Sequence, residues 1–399
     1  MKILYLTAAP TPKKPNSSAF IQRRLEQIEK QKKSQGLEYD VLSPVVEYKP
    51  FLKLVLRLFK NYRMFDSYPR EYELNNIVYR YIVKKMGLIE FFKKYYHSYE
   101  IFEQKIIEEI DLADYDLIHA HFAFPNGIIA KNLHLKYGTP YVLTLHGTDI
   151  HTLPYKSEQL KREIVESLEN AFRCIFVSDF LRKEAVSLGY SGKNAIVIPN
   201  GFDSERFYFE DKDVAKKKLG IAKQKCIGFV GNLVPLKNVM ILPEIFEKIK
   251  KEYENVDFVL IGDGELKEAL QEKFAQKDIN PLFTGTIDQK RVADYMRAMD
   301  VMILPSEKEG FGAVLIEAQA CGTSCVGSDR GGIPEAIGND DACFTIGEQF
   351  IDQISDYVLK MIKEGYDHQK MLKRAENYKW ECLTESVIRL YKGEGCFKK

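Results

Sequence analysis

The chain has 399 residues, a hydrophobic fraction of 45% and a charged fraction of 29%, which is typical of a globular protein with room for two domains. It contains no run of about 18 apolar residues, so no transmembrane helix is predicted. The seven cysteines are scattered and form no CxxC pair. We therefore expect free thiols, no metal site and a reducing, cytoplasmic compartment.

The net charge of +1 conceals an uneven distribution along the chain. Residues 1–198 contain 29 Lys and Arg against 23 Asp and Glu, whereas residues 199–399 contain 29 against 34. The basic half is expected to meet an anionic partner. No nucleic-acid-binding motif is present, so nucleic acid is not the predicted partner.

Short apolar runs alternate with helical patterns along most of the chain, which predicts an α/β fold with parallel sheets. Each run has three to six residues, and most are rich in Val, Ile, Leu or Phe, as expected for strands buried on both faces. In the first half the predicted strands are Lys2–Thr7, Glu38–Ser43, Leu117–Ala120, Tyr141–Leu145, Cys174–Val177 and Ala195–Ile198. In the second half they are Cys226–Val230, Asp257–Ile261, Pro281–Phe283, Val301–Leu304, Ser324–Val326 and Cys343–Ile346.

A turn at Pro199-Asn200-Gly201 predicts the domain boundary. Residues 1–198 are predicted to form a Rossmann-like domain with a helical, basic insertion at about 48–113, in which no clear strand is found. Residues 199–374 are predicted to form a second doubly wound domain, and residues 375–399 a helix that packs back on the first. Ligands are expected at the carboxyl ends of the strands, in a cleft that the two domains face.

A glycine-rich loop and an amphipathic helix follow the predicted strand Val301–Leu304, with the sequence Glu309-Gly-Phe-Gly-Ala-Val-Leu-Ile-Glu317. A helix N-terminus offers unpaired N–H groups and a partial positive charge, which suits a diphosphate. The two glutamates flank this anion site, where one can hold sugar hydroxyls and the other ribose hydroxyls. On spacing alone, an ordinary loop with solvated glutamates is equally compatible, because glycine-rich turns after strands are common.

This segment resembles the E-x7-E signature of retaining glycosyltransferases of family 4, which adopt the GT-B fold of two Rossmann-like domains. The segments 230–238, 259–266, 283–287 and 331–335 are similar to further parts of the family, so the resemblance covers most of residues 115–345. It implies a hexosyltransferase-type enzyme (EC 2.4) that transfers a sugar with retention from a nucleoside-diphosphate sugar, by family habit a UDP-sugar. The implied acceptor is a glycan or a lipid-linked acceptor in cell-surface polysaccharide synthesis. A GT-B-fold nucleotide-sugar epimerase and a non-catalytic nucleotide-sugar-binding protein are the alternatives.

The resemblance also implies roles for individual residues, while metal and cofactors are not needed because the sugar donor is a co-substrate. The predicted catalytic residues are Glu309, His146 and Lys237. The predicted donor-binding residues are Asn232, Lys237, Gly264, Ile287, Glu309, Gly310, Phe311, Gly312 and Glu317. The predicted acceptor-side residues are Ser18, Asp149 and Ser178.

Two residues and one loop differ from the family pattern or from the site residues just named. Asn232 stands where many family members have an arginine, so the phosphate contacts are expected to differ. His121 is predicted to order its loop rather than to contact a substrate. The first loop, residues 10–20, lacks the glycines of the family, so either Ser17, Ser18 or Ala19 adopts a glycine-like conformation or the loop follows a different course.

Residues 48–97 combine 11 basic and 4 acidic residues with many aromatic side chains. A basic, aromatic and amphipathic stretch is typical of contact with an anionic membrane surface. This predicts a peripheral protein at the inner face of the membrane. The alternative is a helix that packs on the core and has a solvated face.

Overall fold

The computed structural model describes residues 1–12, 18–49, 68–86 and 99–393. The chain folds into two α/β units. Unit 1 comprises Met1–Ile198 and the C-terminal segment that starts at Thr384, and unit 2 comprises Pro199–Leu383. Each unit is built on one sheet, in which all strands except one run parallel to their neighbours. The predicted α/β class with two Rossmann-like domains is confirmed.

The sheet of unit 1 has eight strands in the order β3-β4-β2-β1-β5-β6-β7-β8, and β3 runs antiparallel to β4. The strands are β1 Lys2–Leu6, β2 Glu38–Tyr48, β3 Glu71–Leu74, β4 Ile77–Met86, β5 Leu117–His121, β6 Tyr141–Leu145, β7 Arg173–Phe176 and β8 Ala195–Val197. The strands at the centre are buried on both faces because helices cover a parallel sheet on both sides. This explains why their sequences are mostly hydrophobic, apart from His119 and His121 on β5 and Thr144 on β6.

The sheet of unit 2 has six parallel strands in the order β11-β10-β9-β12-β13-β14. The strands are β9 Lys225–Val230, β10 Val256–Ile261, β11 Leu282–Gly285, β12 Val301–Leu304, β13 Ser324–Ser328 and β14 Cys343–Phe344. The order reverses between β9 and β12, as in a dinucleotide-binding sheet. This reversal opens a crevice beyond the carboxyl ends of these two strands.

The helices connect the strands and cover the sheets. In the first part of the chain they are Ala19–Gln35, Tyr99–Glu109, Ile128–Tyr137, Thr148–His151, Glu158–Glu169 and Asp179–Ser187. In unit 2 they are Lys212–Leu219, Leu242–Glu252, Lys267–Ala275, Gln289–Ala298, Ala313–Ala320, Ile333–Ile337, Phe350–Glu364 and His368–Ala375. In residues 1–12, 18–49, 68–86 and 99–393, no helix is both long enough and apolar enough to cross a membrane.

The prediction of a helical insertion without strands at 48–113 is wrong for residues 71–86. These residues form the hairpin of β3 and β4, and β4 pairs with β2 in the sheet. The turn consists of Asn75 and Asn76, whose φ angles of 53° and 63° are those of a tight hairpin turn. The helix Tyr99–Glu109 is the helical part of the predicted insertion that the structure describes.

The last helix, Trp380–Tyr391, starts in unit 2 and ends in unit 1. Its last residue, Tyr391, has its hydroxyl 2.9 Å from the hydroxyl of Tyr5 on β1. Both side chains are buried, so the end of this helix is part of the core of unit 1.

Candidate functional site

The loops after β9 and β12 meet at the point where the strand order of unit 2 reverses. Lys237 follows β9, Glu309 follows β12, and the ammonium group of Lys237 forms a salt bridge with the Glu309 carboxylate. The backbone N–H of Glu307 also donates a hydrogen bond of 3.0 Å to the carbonyl of Leu236. Ligands of doubly wound sheets bind at such a reversal. Two of the three predicted catalytic residues therefore lie together at the expected place.

Ser306 contacts the same carboxylate oxygen of Glu309 as Lys237 does. Its hydroxyl donates to Oε1 of Glu309 at 3.1 Å, and the Ser306 side chain is completely buried. The carboxylate is thus fixed by a hydroxyl group and an ammonium group. Ser306 was not among the predicted site residues, although it lies three residues before Glu309 and two residues after the end of β12.

The helix Ala313–Ala320 begins directly after this loop. Gly312 precedes it with a φ of 87°, a left-handed conformation that glycine adopts without strain. The first turn contains no acidic side chain. The first backbone N–H groups of a helix have no partner within the helix and attract anions. The helix start therefore suits a diphosphate close to Glu309.

Gly331 and Gly332 press against the loop that contains Glu309. A Cβ atom on Gly331 would lie 2.2 Å from the carbonyl oxygen of Glu309, and one on Gly332 would lie 2.6 Å from that of Gly310. The N–H of Gly332 donates to the Glu309 carbonyl at 3.1 Å. These two glycines, which the sequence analysis assigned only to the family pattern, set the position of the Glu309 backbone.

The turns after β9 and β10 also pack closely on each other. A Cβ atom on Gly264 would lie 2.3 Å from the carbonyl oxygen of Leu233, whose N–H donates to the Asp263 carbonyl at 2.9 Å. Asn232 is exposed next to this contact, and Ile287 is partly exposed after β11. Gly264, predicted as a donor contact, therefore has a packing role between the two turns.

Phe311 and Glu317, near the start of the helix Ala313–Ala320, differ in the burial of their side chains. The Phe311 side chain is buried and stacks on Tyr378, with 5.8 Å between the ring centroids. The Phe311 side chain thus anchors the loop in unit 2, and a donor contact of Phe311 stays a prediction that concerns its backbone. Glu317 is partly exposed on the helix Ala313–Ala320.

In unit 1, the predicted His146 follows β6 and makes a pair with His121 at the end of β5. The Nδ1 atom of His121 lies 3.0 Å from Nε2 of His146, and the two rings are nearly parallel at a centroid distance of 5.3 Å. The rings of Phe20 and Phe122 flank His146 at 4.5 and 4.7 Å. Phe122 has a φ of 69°, a strained conformation for a non-glycine residue, and such strain is frequent at functional sites.

Asp149, predicted on the acceptor side, has a different role in the structure. Its carboxylate is completely buried and accepts hydrogen bonds from the backbone N–H groups of His146, Gly147 and Ala123. The prediction of an acceptor contact is therefore wrong, because the donors of two loops occupy the carboxylate. Asp149 fixes the loop that positions His146.

The other two predicted acceptor-side residues also shape the backbone. Ser178 is completely buried, and its hydroxyl accepts from the N–H of Leu181 at the start of a helix, so the predicted acceptor contact is wrong here as well. Ser18 is partly exposed and has a φ of 56° at the start of the helix Ala19–Gln35. Among the described residues of the glycine-free first loop, 10–12 and 18–20, Ser18 takes the glycine-like conformation.

Burial determines the charge states of this cluster. It lowers the pKa values of His119, His121 and His146 well below the usual range, so the three imidazoles are neutral near pH 7. Burial also raises the pKa of Asp149, and the hydrogen bonds from Gly147, Ala123 and His146 oppose this effect.

Family models match both halves of the chain. The model described as Glycosyltransferase Family 4 matches residues 22–206, and the model described as Glycosyl transferases group 1 matches residues 211–378. The TuaC glycosyltransferase of Bacillus subtilis, assigned to teichuronic acid biosynthesis, is 32% identical over 348 residues, which cover 85% of this chain and 83% of TuaC. The N-acetyl-α-D-glucosaminyl L-malate synthase of Bacillus anthracis is 31% identical over 72% of this chain and 76% of its own.

The fold has a counterpart among solved structures. Anabaena Alr3699/HepE, crystallised in complex with UDP, matches with a TM-score of 0.74 and 18% identity over 98% of this chain and all of its own. Fold and site thus define a GT-B glycosyltransferase. The chain belongs to the group 1, family 4 type of glycosyltransferases and is an enzyme of the hexosyltransferase type, EC 2.4.

Proposed function

We propose that this enzyme transfers a sugar from a UDP-sugar, with retention of the anomeric configuration, to a glycan or lipid-linked acceptor in cell-surface polysaccharide synthesis. The observation that supports the donor half best is the Lys237–Glu309 pair at the strand-order reversal of unit 2, beside a helix start without acidic residues. Crystals of HepE with UDP and with UDP-glucose favour UDP as the nucleotide. The similarity to TuaC favours a polysaccharide as the product.

The residues of unit 2 suit binding of the leaving diphosphate. Lys237 is a point charge on a long stem, and the N-terminus of the helix Ala313–Ala320 adds partial positive charge. In the proposed reaction they stabilise the charge that develops on the leaving group, while Glu309 holds the sugar. Protein cations then take the place of a metal ion, so EDTA is expected to leave turnover unchanged.

For unit 1 we propose that His146 contacts the transferred sugar. Its imidazole is neutral near pH 7. Asp149 binds the loop that contains His146, and His121 contacts the His146 ring. A neutral imidazole can donate or accept a hydrogen bond with a sugar hydroxyl. Ser18 stays an acceptor-side candidate, since it lies at the start of the helix that carries Phe20 beside His146.

The function is tested by incubating the purified protein with a panel of nucleoside-diphosphate sugars, with and without a crude lipid extract. We expect slow release of UDP from one UDP-sugar alone and faster release with the extract. NMR of the anomeric proton in the product then reports the stereochemistry. Tight donor binding without any release of nucleoside diphosphate would contradict the proposal.

We also propose that residues 48–97 contact an anionic membrane surface at the cytoplasmic side. The excess of basic residues supports this proposal, although residues 50–67 and 87–98 lie outside the described part of the chain. Free thiols at all six cysteines of the described residues suit a reducing compartment. Co-sedimentation with vesicles that contain phosphatidylglycerol, but not with phosphatidylcholine vesicles, is the expected result. Equal binding to both would contradict it.

A further inference from the structure

Arg374, in the helix His368–Ala375, binds two elements of unit 2 at once. Its Nη2 atom donates hydrogen bonds to the carbonyl oxygen of Glu335 and, at 3.1 Å, to the hydroxyl of Tyr378. The guanidinium also lies over the Tyr378 ring, with 5.4 Å between Cζ and the ring centroid. Both elements lead to the donor loop (residues 305–312, which follow β12).

The first connection to the donor loop consists of aromatic rings. The Phe311 ring is buried and stacks on the Tyr378 ring, with 5.8 Å between the centroids and an angle of 26°. Phe311 stands between two glycines, which have no side chains, so its ring anchors this part of the loop. The Tyr378 carbonyl accepts a hydrogen bond of 2.9 Å from the N–H of Phe202, which fixes the backbone that carries the Tyr378 ring.

The second connection is the helix Ile333–Ile337. The last carbonyl groups of a helix have no partner within the helix, and an arginine side chain can bind them. Arg374 does so here, and a Cβ atom at Gly338 would overlap with its guanidinium. At the other end of the helix, the N–H of Gly332 donates to the Glu309 carbonyl at 3.1 Å. The position of this helix therefore determines how Gly332 meets the donor loop.

We propose that Arg374 is a positioning residue of the donor site. It holds Phe311 through Tyr378 and Gly332 through the short helix that follows this glycine, and it thereby fixes the donor loop at two points. Arg374 acts through these residues and is not assigned a contact with the donor. The binding of UDP at this loop rests on the proposed function, whereas the position of the loop does not.

Hydrogen–deuterium exchange of the ligand-free protein measures the donor loop directly. In Arg374→Gln, peptides that cover residues 305–313 and 329–334 are expected to exchange about tenfold faster than in the wild type, because the loop opens more often. Peptides from β9 and β10 should change little. Equal acceleration in all these peptides would assign Arg374 a role in stability alone, and unchanged exchange in the loop peptides would overturn the proposal.

Calorimetric titration with UDP connects the loop to the donor site. The hydrogen bonds of Arg374 named above come from one nitrogen, so the ammonium group of a lysine can replace it, whereas glutamine has no charge. We expect the Kd for UDP to rise about tenfold in Arg374→Gln, as for loss of one charge-assisted hydrogen bond, and to stay within about threefold in Arg374→Lys. Lys373→Gln, at the exposed neighbouring position, is the matched control and should leave the Kd unchanged.

Wild-type affinity of Arg374→Gln, or equal weakening in the Gln and Lys variants, would contradict the role of Arg374. Absence of UDP binding to the wild type would instead contradict the proposed function, and the exchange experiment would still decide on the loop.

Two variants of Tyr378 decide if Arg374→Gln does not fold. Tyr378→Phe keeps the ring that stacks on Phe311, whereas Tyr378→Leu removes it. The Tyr378 side chain is partly exposed, so both variants are expected to fold. Exchange of the donor loop and the Kd for UDP should each rise about threefold or more in the Leu variant relative to the Phe variant. Equal values for the two variants would overturn the proposal.

Discussion

The side chains of Lys237 and Glu309 are joined by a salt bridge in unit 2, although they follow different strands and stand 72 residues apart. Both are mostly buried, with exposed side-chain fractions of 20% and 14%. In the proposed reaction Lys237 binds the diphosphate and Glu309 binds the sugar. Donor binding therefore replaces their mutual contact with contacts to the two ends of one ligand.

Replacing Glu309 by glutamine should affect turnover much more than stability. The glutamine amide can still accept the hydrogen bond from Ser306, but it lacks the negative charge for the salt bridge with Lys237. We expect a decrease in kcat of about 10²–10³-fold, as for loss of one stabilising group in an active site. The free energy of unfolding should fall by only about 1 kcal/mol.

Glu307→Gln is the matched control because Glu307 is exposed in the same loop. Steady-state release of UDP and urea denaturation measure the two quantities for both variants. A stability loss as large as that of a core substitution, with unchanged kcat, would assign Glu309 a purely structural role.

Gly332→Ala should weaken donor binding through the backbone of the Glu309 loop. The new methyl group would lie 2.6 Å from the Gly310 carbonyl oxygen, so the loop must shift. We expect a rise of about tenfold or more in the Kd for UDP in calorimetric titration. Gly347→Ala, where the methyl group meets no atom within 4 Å, should leave the Kd unchanged. Equal affinities for both variants would show that the loop position does not matter.

Asp149→Asn should disorganise the loop of His146. The carboxylate accepts hydrogen bonds from the backbone N–H groups of Gly147, His146 and Ala123. In asparagine an NH₂ group replaces one of the two carboxylate oxygens and cannot accept a hydrogen bond from these N–H groups. Leaving such buried donors unsatisfied costs about 1–3 kcal/mol. Urea denaturation should show this loss together with a fall in kcat. Asp179→Asn, at a partly exposed helix start where the carboxylate pairs with Arg182 and Lys183, serves as the control, and a similar loss there would contradict the assignment.

The buried histidines should make the protein less stable below about pH 6.5, the pKa of histidine in an unfolded chain. Burial lowers the pKa of His119, and electrostatic interactions with His121, Arg24 and His146 lower it further. The folded state therefore binds fewer protons than the unfolded state, and stability is lost as the pH falls through the unfolded value. Each such histidine contributes up to about 1.4 kcal/mol per pH unit.

The variant His119→Asn lacks one of the histidines that bind a proton in the unfolded state but not in the folded state. The variant is expected to be less stable than the wild type at pH 7.5, because it cannot reproduce both hydrogen bonds of His119. The difference between the two proteins should shrink from pH 6.5 to 5.5. A difference that is constant over this range, measured by urea denaturation, would show that His119 has the same pKa in the folded and the unfolded protein.

The sequence predicted the strands well where burial on both faces produces continuous apolar runs. The strands Tyr141–Leu145 and Val301–Leu304 have the predicted bounds, and the other ten predicted strands are observed with shifted ends. β3 and β4 were missed because Arg, Lys and Tyr in this region were interpreted as an amphipathic helix. The adjacent asparagines Asn75 and Asn76 were the available signal for a hairpin.

The candidate site was predictable where a residue is defined by its distance from a strand end. Lys237 and Glu309 follow β9 and β12, and strand order brings them together. Asp149 and Ser178 also follow strands, but their side chains accept hydrogen bonds from backbone N–H groups. Their distance from a strand end does not show whether the side chain is bound in this way or faces a ligand. The roles of Gly332 and Ser306 depend on contacts between distant loops and appear only in the folded chain.

Binding of UDP to Lys237→Ala, with Lys251→Ala as control, tests the donor site most directly. Lys251 is likewise paired with a glutamate, Glu247, but lies on an exposed helix face. In calorimetric titrations and thermal-shift assays, UDP should bind to the wild type and the control and raise their melting temperatures. Loss of the charge-assisted contact should weaken UDP binding to Lys237→Ala by about tenfold or more. Equal affinity of all three proteins for UDP, or no binding of UDP to the wild type, would contradict the placement of the donor diphosphate at Lys237.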